Sequence, residues 1–521
     1  MNRWFAPGLL LIVGLALALR LPELDRRPMH NDEGVNAMRF RSLWVSHTYQ
    51  YDPYEFHGPT LEYATVLSAW LTGSNDFDRF TEFTFRRVTV AFGVVLILLL
   101  FLLVDGLGKA ETLWAAALTA ISPAMVFYSR YYIHEMLLVF FTLLTLVASW
   151  RYVQTKSSGW SLLAGVGLGL MYATKETFVF ALVSMVAAAA CASAWGRWMD
   201  GQRVSLKSHL NLKHIFAALA AALLVSMAFF SSLFTNVSGP LDSLRTYLPW
   251  LHRAGGESPH VHSWYFYFRR LVFFHYQNGP FWSEALIVVL AVVGFVAALR
   301  RRPPGQTNVA LARVLAFYTA SLTLIYSVVS YKTPWCSLGF FHGMILLAGL
   351  GAMALLRVCR PQWLKWTTGA ALVAAAAQLG WQAWRASFPY CASQFNPYVY
   401  AQTSPDILKL VEKVEALARV SPQGHDTVVK VMAPGNDYWP LPWYLRRFKK
   451  QHVGFWNEIP PEPFAPIMIV SSEFQAAFDE RAEKTHLMAG YFQLRPQVFF
   501  ELYVEINLWR EYVNTLAPEK D

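Results

Sequence analysis

The chain has 521 residues, of which 55% are hydrophobic and only 15% are charged, whereas soluble domains average about 25% charged residues. This composition excludes a soluble globular protein and indicates a chain that crosses a membrane several times. The net charge of +10 does not indicate a nucleic-acid partner, because the basic residues lie mostly in short loops between apolar segments, as in membrane proteins.

The first apolar segment spans residues 5–19. Because Ala16-Leu17-Ala18 resembles a signal-peptidase site, a cleaved signal peptide is one interpretation. We favour an uncleaved first span, since Arg20 follows at once and ten more apolar segments come after it. A polar stretch follows at about 21–87, and within it residues 60–71 are apolar but too short to cross a bilayer, which is typical of an interfacial or re-entrant helix.

Ten further apolar segments approach the roughly 20 residues that cross a bilayer as a helix. With the first segment they predict eleven transmembrane helices. The ten segments are 88–104, 112–128, 134–153, 160–174, 178–196, 214–235, 283–299, 314–330, 337–356 and 366–386.

Basic residues mark the loops on one side of the predicted spans, which places the N-terminus inside. An odd number of spans then puts the C-terminus outside. We therefore predict a multi-pass protein of the cell membrane, with a transmembrane domain at residues 1–386 that includes an outer loop at 21–87. The predicted inside loops carry Lys109, Lys156, Arg197, Arg203, Lys207, Lys213, Arg300, Arg301, Arg302, Arg357, Arg360 and Lys365.

From residue 387 the composition becomes that of a soluble domain, predicted at 387–521 on the extracytoplasmic side. The predicted fold class is a polytopic α-helical membrane protein of about eleven transmembrane helices with a small C-terminal α/β domain. Periodicity predicts helices at 404–419 and 474–484 and strands at 427–432, 466–470 and 498–506.

Ionisable residues close to membrane spans usually mark function. A secondary transporter would place them near the bilayer midplane, whereas here they fall at the predicted outer ends of spans. This depth favours an enzyme that works where a lipid headgroup meets an aqueous acceptor. The residues are Asp32, Glu33, Arg130, His134, Glu135, Lys175, Glu176, His275 and Lys332.

The segment His30-Asn31-Asp32-Glu33 places two adjacent carboxylates in the first outer loop. One interpretation is structural: Asn31 or Asp32 caps a helix, and the helix dipole favours Glu33 in its first turn. The other makes Asp32 a general base that takes a proton from an acceptor hydroxyl, with Glu33 beside it in the catalytic site. The two are compatible, because a helix N-terminus can also position a catalytic carboxylate.

A polar, aromatic turn between two spans contains Arg130, His134 and Glu135. An interfacial aromatic belt with a snorkelling Arg130 is one interpretation. In the other, Arg130 faces the active-site cleft and binds a phosphate, and Glu135 orients its guanidinium.

Two lysines lie in short connections at the same predicted depth. Lys175 and Glu176 interrupt an apolar stretch, and Lys332 joins two spans. Either lysine could be a solvated loop residue, or could stabilise negative charge on a leaving phosphate.

Two other patterns do not indicate binding sites. The run Gly165, Gly167 and Gly169 lies inside a predicted span, where small residues permit close helix packing. His260 and His262 form an H-x-H pair without a third ligand, which is weak evidence for a metal site.

Several motifs together resemble the GT-C membrane glycosyltransferases. The acidic first-loop motif, His57-Gly58-Pro59 with its short apolar helix, and Arg86-Arg87 are similar to the protein O-mannosyltransferases and the lipid A aminoarabinose transferases. Later phrases resemble a prokaryotic subgroup described as flippase-activity-associated. These are Ser122-Pro123, Tyr128-Ser129-Arg130, Thr174-Lys175-Glu176, Tyr331-Lys332-Thr333-Pro334-Trp335 and Asp437-Tyr438-Trp439-Pro440-Leu441-Pro442-Trp443-Tyr444.

The resemblance implies a polyprenyl-phosphate-linked sugar donor, a glycan, lipid or protein acceptor, and an inverting transfer with Asp32 as the base. His57 stands where the aminoarabinose transferases have a lysine, so Arg130, Lys175 or Lys332 would supply more of the phosphate contact. The subgroup also implies an alternative, a non-catalytic flippase or scaffold for lipid-linked saccharides.

Two expectations concern the remaining partners. Asp437, Tyr438 and Trp439 could bind the acceptor, although the segment 439–443 is equally suited to docking the soluble domain onto the membrane part. No cofactor is firmly implied, and a divalent cation could bridge Asp32 and Glu33 to a phosphate.

Overall fold

The computed structural model describes residues 5–201, 211–255, 260–301, 307–475, 478 and 485–516. Within them the chain is mostly helical, with one small β-sheet near the C-terminus. Arg203, Lys207, Arg302 and most of the helix predicted at 474–484 lie outside the described residues.

Each of the eleven predicted spans forms a helix, which confirms the polytopic helical fold. At the predicted span 112–128 the helix is a bent pair, Lys109–Ile121 with Pro123–Ser129, and the bend is 58°. Four more helices at predicted spans are Phe5–Arg20, Ser158–Tyr172, Ala285–Ala298 and Gln362–Ser387. In the described part of the chain, six helices are long and apolar enough to cross a membrane: Glu82–Leu107, Glu135–Thr155, Phe178–Asp200, Leu212–Phe230, Val309–Val328 and Pro334–Val358.

The bend in the paired helix follows from its sequence. Pro123 has no N–H group with which to continue the preceding helix. The buried carboxylate of Glu284 accepts hydrogen bonds from the Ser122 hydroxyl (2.5 Å) and the Ala124 N–H (3.0 Å). It also accepts one from the Tyr398 hydroxyl (2.6 Å), so the chain after the last span anchors the bend.

Glycines let several spans approach closely. A Cβ atom on Gly294 would collide with the Leu347 carbonyl of the helix Pro334–Val358, and one on Gly165 would collide with the Ala218 carbonyl of Leu212–Phe230. The expectation that the Gly165 run serves helix packing is confirmed.

Short helices cover one end of the bundle. Asn31–Ser46 and Thr60–Trp70 lie in the predicted outer loop 21–87, and the second is the short apolar helix expected there. Gly239–Arg245, Tyr247–Gly255 and Phe266–Val272 belong to the long connection before Ala285–Ala298.

The C-terminal α/β domain contains a five-stranded sheet of order β2-β1-β3-β5-β4. β1 pairs in parallel with β2 and β3, whereas β5 is antiparallel to β3 and β4. The three predicted strands are confirmed, and the helices Asp406–Val420 and Ile506–Thr515 flank the sheet. The strands are β1 (Val429–Met432), β2 (Val453–Trp456), β3 (Ile467–Ser471), β4 (His486–Arg495) and β5 (Val498–Glu505).

The segment 439–444 docks this domain onto the first-loop helix. A Cβ atom on Gly34 would lie 2.7 Å from the Cβ atom of Pro440. The Met29 N–H donates to the Tyr444 hydroxyl (2.8 Å), and the Trp443 indole N–H donates to the Glu82 carboxylate (2.9 Å). Of the two roles expected for this segment, the structure shows docking.

Candidate active site

A cavity of about 690 Å³ lies at the end of the bundle where the first-loop helix sits, and we call it the Asp32 cavity. It brings together three of the predicted site residues, one from each of three loops or helix ends. Its lining consists of Asp32, His57, Lys175, Thr177, Phe180, Trp250, Tyr326, Val329, Tyr331, Thr333, Trp335 and Cys336.

Asp32 lies in the first turn of the helix Asn31–Ser46, where the helix dipole favours a negative charge. The cap is His30 rather than Asn31 or Asp32, because its Nδ1 accepts a hydrogen bond from the Asp32 N–H (3.1 Å). The Asp32 side chain is 43% exposed, and the Asn31 amide donates to its Oδ1 (3.3 Å). The carboxylate is therefore held at the cavity wall and remains open to a substrate.

Glu33 points away from the cavity into a buried cluster of arginines. Arg86 donates to both carboxylate oxygens (2.8 and 2.7 Å), and Arg27 adds a contact of 3.3 Å. The N–H groups of Tyr132 (2.9 Å) and His30 (3.0 Å) complete the shell. Burial opposes ionisation, but the charges of Arg86 and Arg27 and these hydrogen bonds lower the pKa of Glu33 to about 2.

Glu33 therefore fixes the first-loop helix and does not face the substrate, contrary to its expected place in the catalytic site. Because Arg86 occupies both oxygens, the arrangement does not support a cation shared by Asp32 and Glu33. Among the described residues, no group of three or more His, Cys, Asp or Glu side chains could hold a metal ion.

Two loops are joined backbone to backbone beside the cavity, and we call this pairing the loop clamp (residues 57–60 and 173–176). The Gly58 N–H donates to the Thr174 carbonyl (3.1 Å), and the Thr60 N–H donates to the Ala173 carbonyl (3.2 Å). A Cβ atom on Gly58 would collide with the Ala173 carbonyl. Glycine is therefore required for the two loops to approach this closely.

The loop clamp presents His57 and Lys175 to the cavity. The His57 Nδ1 contacts the Glu176 carboxylate at 2.8 Å, and the buried Lys175 ammonium pairs with Glu135. Burial opposes the charge of Lys175, but the Glu135 carboxylate raises the pKa of Lys175 above its ordinary value, so the ammonium stays positive. Glu135 thus orients Lys175, and the expectation that it orients Arg130 is wrong.

Arg130 does not reach the Asp32 cavity, and the expectation that it faces the active-site cleft is wrong. Its guanidinium donates to the carbonyls of Arg20 (2.9 Å), Pro22 (2.6 Å) and Glu23 (3.1 Å). The ring of Phe388 lies 4.4 Å from its Cζ atom. Arg130 therefore fixes the backbone of the segment that follows the first span.

Lys332 lies next to the cavity but is turned from it. Its ammonium donates to the carbonyls of Val329 and His262, and the residue is only 1% exposed. Its neighbours Tyr331 and Thr333 line the cavity instead. The structure thus gives Lys332 no direct path to a phosphate in the Asp32 cavity.

His134 supports the loop clamp from behind, since its Nε2 contacts the Gly58 carbonyl at 3.0 Å. The same nitrogen lies 4.0 Å from Glu62, a residue that sequence reasoning missed. Burial raises the pKa of Glu62 to about 7, and its Oε2 has no hydrogen-bond partner among the described residues.

The three expected acceptor residues do not line the Asp32 cavity. Asp437 forms an ion pair with Arg495, and the Tyr438 hydroxyl donates to the Asn436 side chain (2.9 Å). Trp439 lies against Gly34 at the domain contact.

Some cavity residues were not singled out from the sequence. Trp335 lies in a quoted motif, but Phe180, Trp250 and Tyr326 are aromatic residues in or near apolar segments and carry no distinguishing signal. Arg86 belongs to the Arg86-Arg87 motif. Because a buried carboxylate needs a cationic partner, this motif is the sequence signal that could have indicated a partner for Glu33.

Comparisons with known proteins concern the family and the fold. The model of the dolichyl-phosphate-mannose-protein mannosyltransferase family matches residues 9–236, the part that contains Asp32, His57 and Lys175. No curated protein matches the chain.

Three solved structures illustrate the similarity of fold. ArnT from Cupriavidus metallidurans in the apo state has a TM-score of 0.66 and 12% identity, with 95% of this chain and 98% of that chain covered. Its complex with undecaprenyl phosphate has a TM-score of 0.60 and 13% identity, with 98% and 99% covered. The apo oligosaccharyltransferase of Archaeoglobus fulgidus has a TM-score of 0.55 and 13% identity, with 89% and 65% covered.

Proposed function

Since the chain has the GT-C fold of membrane glycosyltransferases, we propose that it transfers a sugar from a polyprenyl-phosphate-linked donor to an acceptor hydroxyl. The observation that carries this proposal is the Asp32 cavity, where an accessible carboxylate and a buried, charge-paired lysine line one space. An acceptor hydroxyl needs a base, and a departing phosphate needs a cation. Both groups are present.

The reaction forms one bond and breaks one at the anomeric carbon, and one proton moves from the acceptor hydroxyl to Asp32. The acceptor oxygen attacks the anomeric carbon while Asp32 takes the hydroxyl proton, and the bond from that carbon to the phosphate oxygen breaks. The electron pair leaves with the polyprenyl phosphate. Lys175 stabilises the charge that develops there, because Glu135 fixes its position and keeps it protonated. Direct displacement at the anomeric carbon inverts its configuration.

His57 and Glu176 form the second pair at the cavity. Because the His57 Nδ1 contacts Glu176 at 2.8 Å, the ring is held in one orientation. With Nδ1–H donated to Glu176, the protonated ring can donate its Nε2–H to the donor phosphate, and the neutral ring can accept a hydrogen bond from a sugar hydroxyl at Nε2. This assigns phosphate binding to Lys175 and His57 and leaves Arg130 and Lys332 in structural positions.

A groove of about 950 Å³ beside the cavity fits an isoprenoid chain. It is lined almost entirely by apolar side chains, including Phe268, Val292, Phe295 and Leu324. The helix Val309–Val328 separates it from the cavity, with Tyr326 on the cavity side and Leu324 on the groove side. Because the groove lies between predicted spans, its occupant would be the lipid chain of the donor, with the phosphate near Lys175.

The test is a transfer assay with the purified full chain in lipid nanodiscs and a radiolabelled polyprenyl-phosphate sugar. Replacing Asp32 by Asn should reduce transfer by about 10²-fold to 10⁴-fold, the usual contribution of a general base. Asp25→Asn is the matched control, since Asp25 is exposed in the same loop and does not line the cavity.

Equal transfer by wild type and Asp32→Asn would refute the catalytic mechanism. Translocation of lipid-linked sugar would then be measured in liposomes that have the lipid composition of the nanodiscs. If translocation still required the protein, the non-catalytic flippase or scaffold would be the function instead.

A further inference from the structure

A second groove, of about 980 Å³, lies beside the helix Phe266–Val272, and we call it the arginine groove. None of the described residues that line it is acidic. Its polar and aromatic lining includes Arg269, Arg270, His262, Tyr265, Tyr276 and Gln394.

Arg270 is a partly buried cation without a carboxylate partner among the described residues. Its Nη1 donates to the Pro397 carbonyl (2.6 Å), and its Cζ lies 4.6 and 5.6 Å from the ring centres of Phe266 and Phe274. In the described part of the chain, no Asp or Glu forms an ion pair with it. Partial burial lowers the pKa of Arg270, so a bound anion would stabilise its charge.

Arg269 is the neighbouring residue, and its side chain is exposed. Across the described ranges the Arg269 side chain has neither a hydrogen-bond nor an ion-pair partner. Two adjacent guanidinium groups repel each other, and both line the same groove. An anion bound between them would remove the repulsion and neutralise the partly buried charge of Arg270.

Tyr400 lies between residues that line the arginine groove and residues that line the Asp32 cavity. Its hydroxyl contacts the His262 Nε2 at 3.1 Å on the groove side. Its ring centre lies 5.9 Å from that of Trp335, which lines the Asp32 cavity. The His30 Nε2 contacts the Tyr400 carbonyl at 3.1 Å, so the cap of the Asp32 helix also holds Tyr400.

We propose that the arginine groove binds an acidic sugar residue, bearing a carboxylate or a phosphate, in a saccharide acceptor. Arg269 and Arg270 hold the anionic group, and the exposed rings of Tyr265 and Tyr276 contact the sugar faces. A neighbouring residue of the saccharide then reaches past Tyr400 toward Asp32. This inference rests on the proposed function, since it assigns the groove to the acceptor of that reaction.

The placement favours the acceptor over the donor. The donor phosphate is bonded to the anomeric carbon under attack, so it must lie in the Asp32 cavity with Lys175. The arginine groove is on the opposite side of Tyr400 and opens to solvent, where an acceptor arrives.

The experiment measures binding, so that it does not depend on transfer. Fluorescent trigalacturonate and 6-phosphorylated maltotriose are titrated into the full chain in nanodiscs, with neutral maltotriose as the uncharged comparison. At least one acidic probe should bind more tightly than maltotriose, and Arg269→Ala should weaken that binding about tenfold, corresponding to about 1.4 kcal/mol. Arg510→Ala, at an exposed arginine of the soluble domain, should change nothing.

Three results would overturn the proposal. They are equal binding of acidic and neutral probes, equal loss in the Arg269 and Arg510 variants, and displacement of the acidic probe by polyprenyl phosphate, which would assign the groove to the donor. Asp32→Asn should leave probe binding intact, so a failure of the catalytic mechanism is distinguishable from a failure of this site.

Discussion

Lys175 and Glu135 form an ion pair in the wall of the Asp32 cavity, with side chains that are only 7% and 6% exposed. The two residues come from different helix ends, 40 positions apart. Neither side chain would be stable as a lone buried charge, so each determines where the other lies.

Variants of this pair can distinguish the contribution of Lys175 to stability from its contribution to catalysis. Lys175→Met should lower the free energy of unfolding by about 3–5 kcal/mol, because Glu135 is left as an uncompensated buried charge. The double variant Lys175→Met with Glu135→Leu should recover most of that loss, yet transfer no sugar. Thermal unfolding and the radiolabel assay on the same preparations check both statements. Wild-type transfer by a stable double variant would remove Lys175 from the mechanism.

Glu33 should make the stability of the protein depend on acidic pH. Its pKa in the folded chain, about 2, lies below the ordinary value. The resulting stabilisation of about 3 kcal/mol is therefore present above about pH 5 and is lost as the pH falls toward 2. The difference in unfolding free energy between wild type and Glu33→Gln should be constant above about pH 5 and should shrink steadily from about pH 5 to pH 3. Asp25→Asn serves as control and should show no such trend.

Glu62 should make the stability of the protein depend on pH in the opposite sense, so that stability falls as the pH rises. Burial raises its folded pKa to about 7, so the stability associated with its neutral form is present at pH 4 and is lost as the pH rises through 7. Glu62→Gln should therefore match wild type near pH 4 and be more stable by about 1–3 kcal/mol at pH 8. A stability difference that does not change over this range would show that folding does not raise the pKa of Glu62.

The loop clamp should depend on Gly58. In Gly58→Ala the new methyl group must push the Ala173 carbonyl away, which should destabilise the protein by about 1–3 kcal/mol and move His57 and Lys175. We expect transfer to fall at least tenfold. Gly14→Ala is the matched substitution, since a Cβ atom at Gly14 meets nothing within 4 Å, and it should leave stability and transfer unchanged. Wild-type transfer by Gly58→Ala would mean that the loop clamp does not position the cavity residues.

The spans and the strands β1 and β3 were predictable because each is a largely apolar run of suitable length, and β5 was predictable from its alternation. β2, with four half-buried residues, and the edge strand β4, with two register shifts, carry no such pattern. The sequence also predicted Asp32 and Lys175 at one depth, and both line the Asp32 cavity together with His57.

The predicted topology gives the depth of a side chain in the membrane, but it does not give the direction in which that side chain points around the helix bundle. Arg130 and Lys332 belong to predicted outer connections, but Arg130 turns toward the carbonyls after the first span and Lys332 toward those of Val329 and His262. The distribution of Lys and Arg among the loops does not determine that direction, which is set by the packing of helices distant in sequence, as when Gly294 meets Leu347.

The contact between Met29 and Tyr444 joins residues 415 positions apart. During synthesis, the loop that carries Asp32 leaves the ribosome hundreds of residues before the segment that will hold it. The membrane helices can insert in the meantime, whereas the contacts of Met29 and Gly34 with the C-terminal domain form only after that domain has folded. Under the proposed function, a chain that lacks this domain would therefore lack part of what holds Asp32 in place.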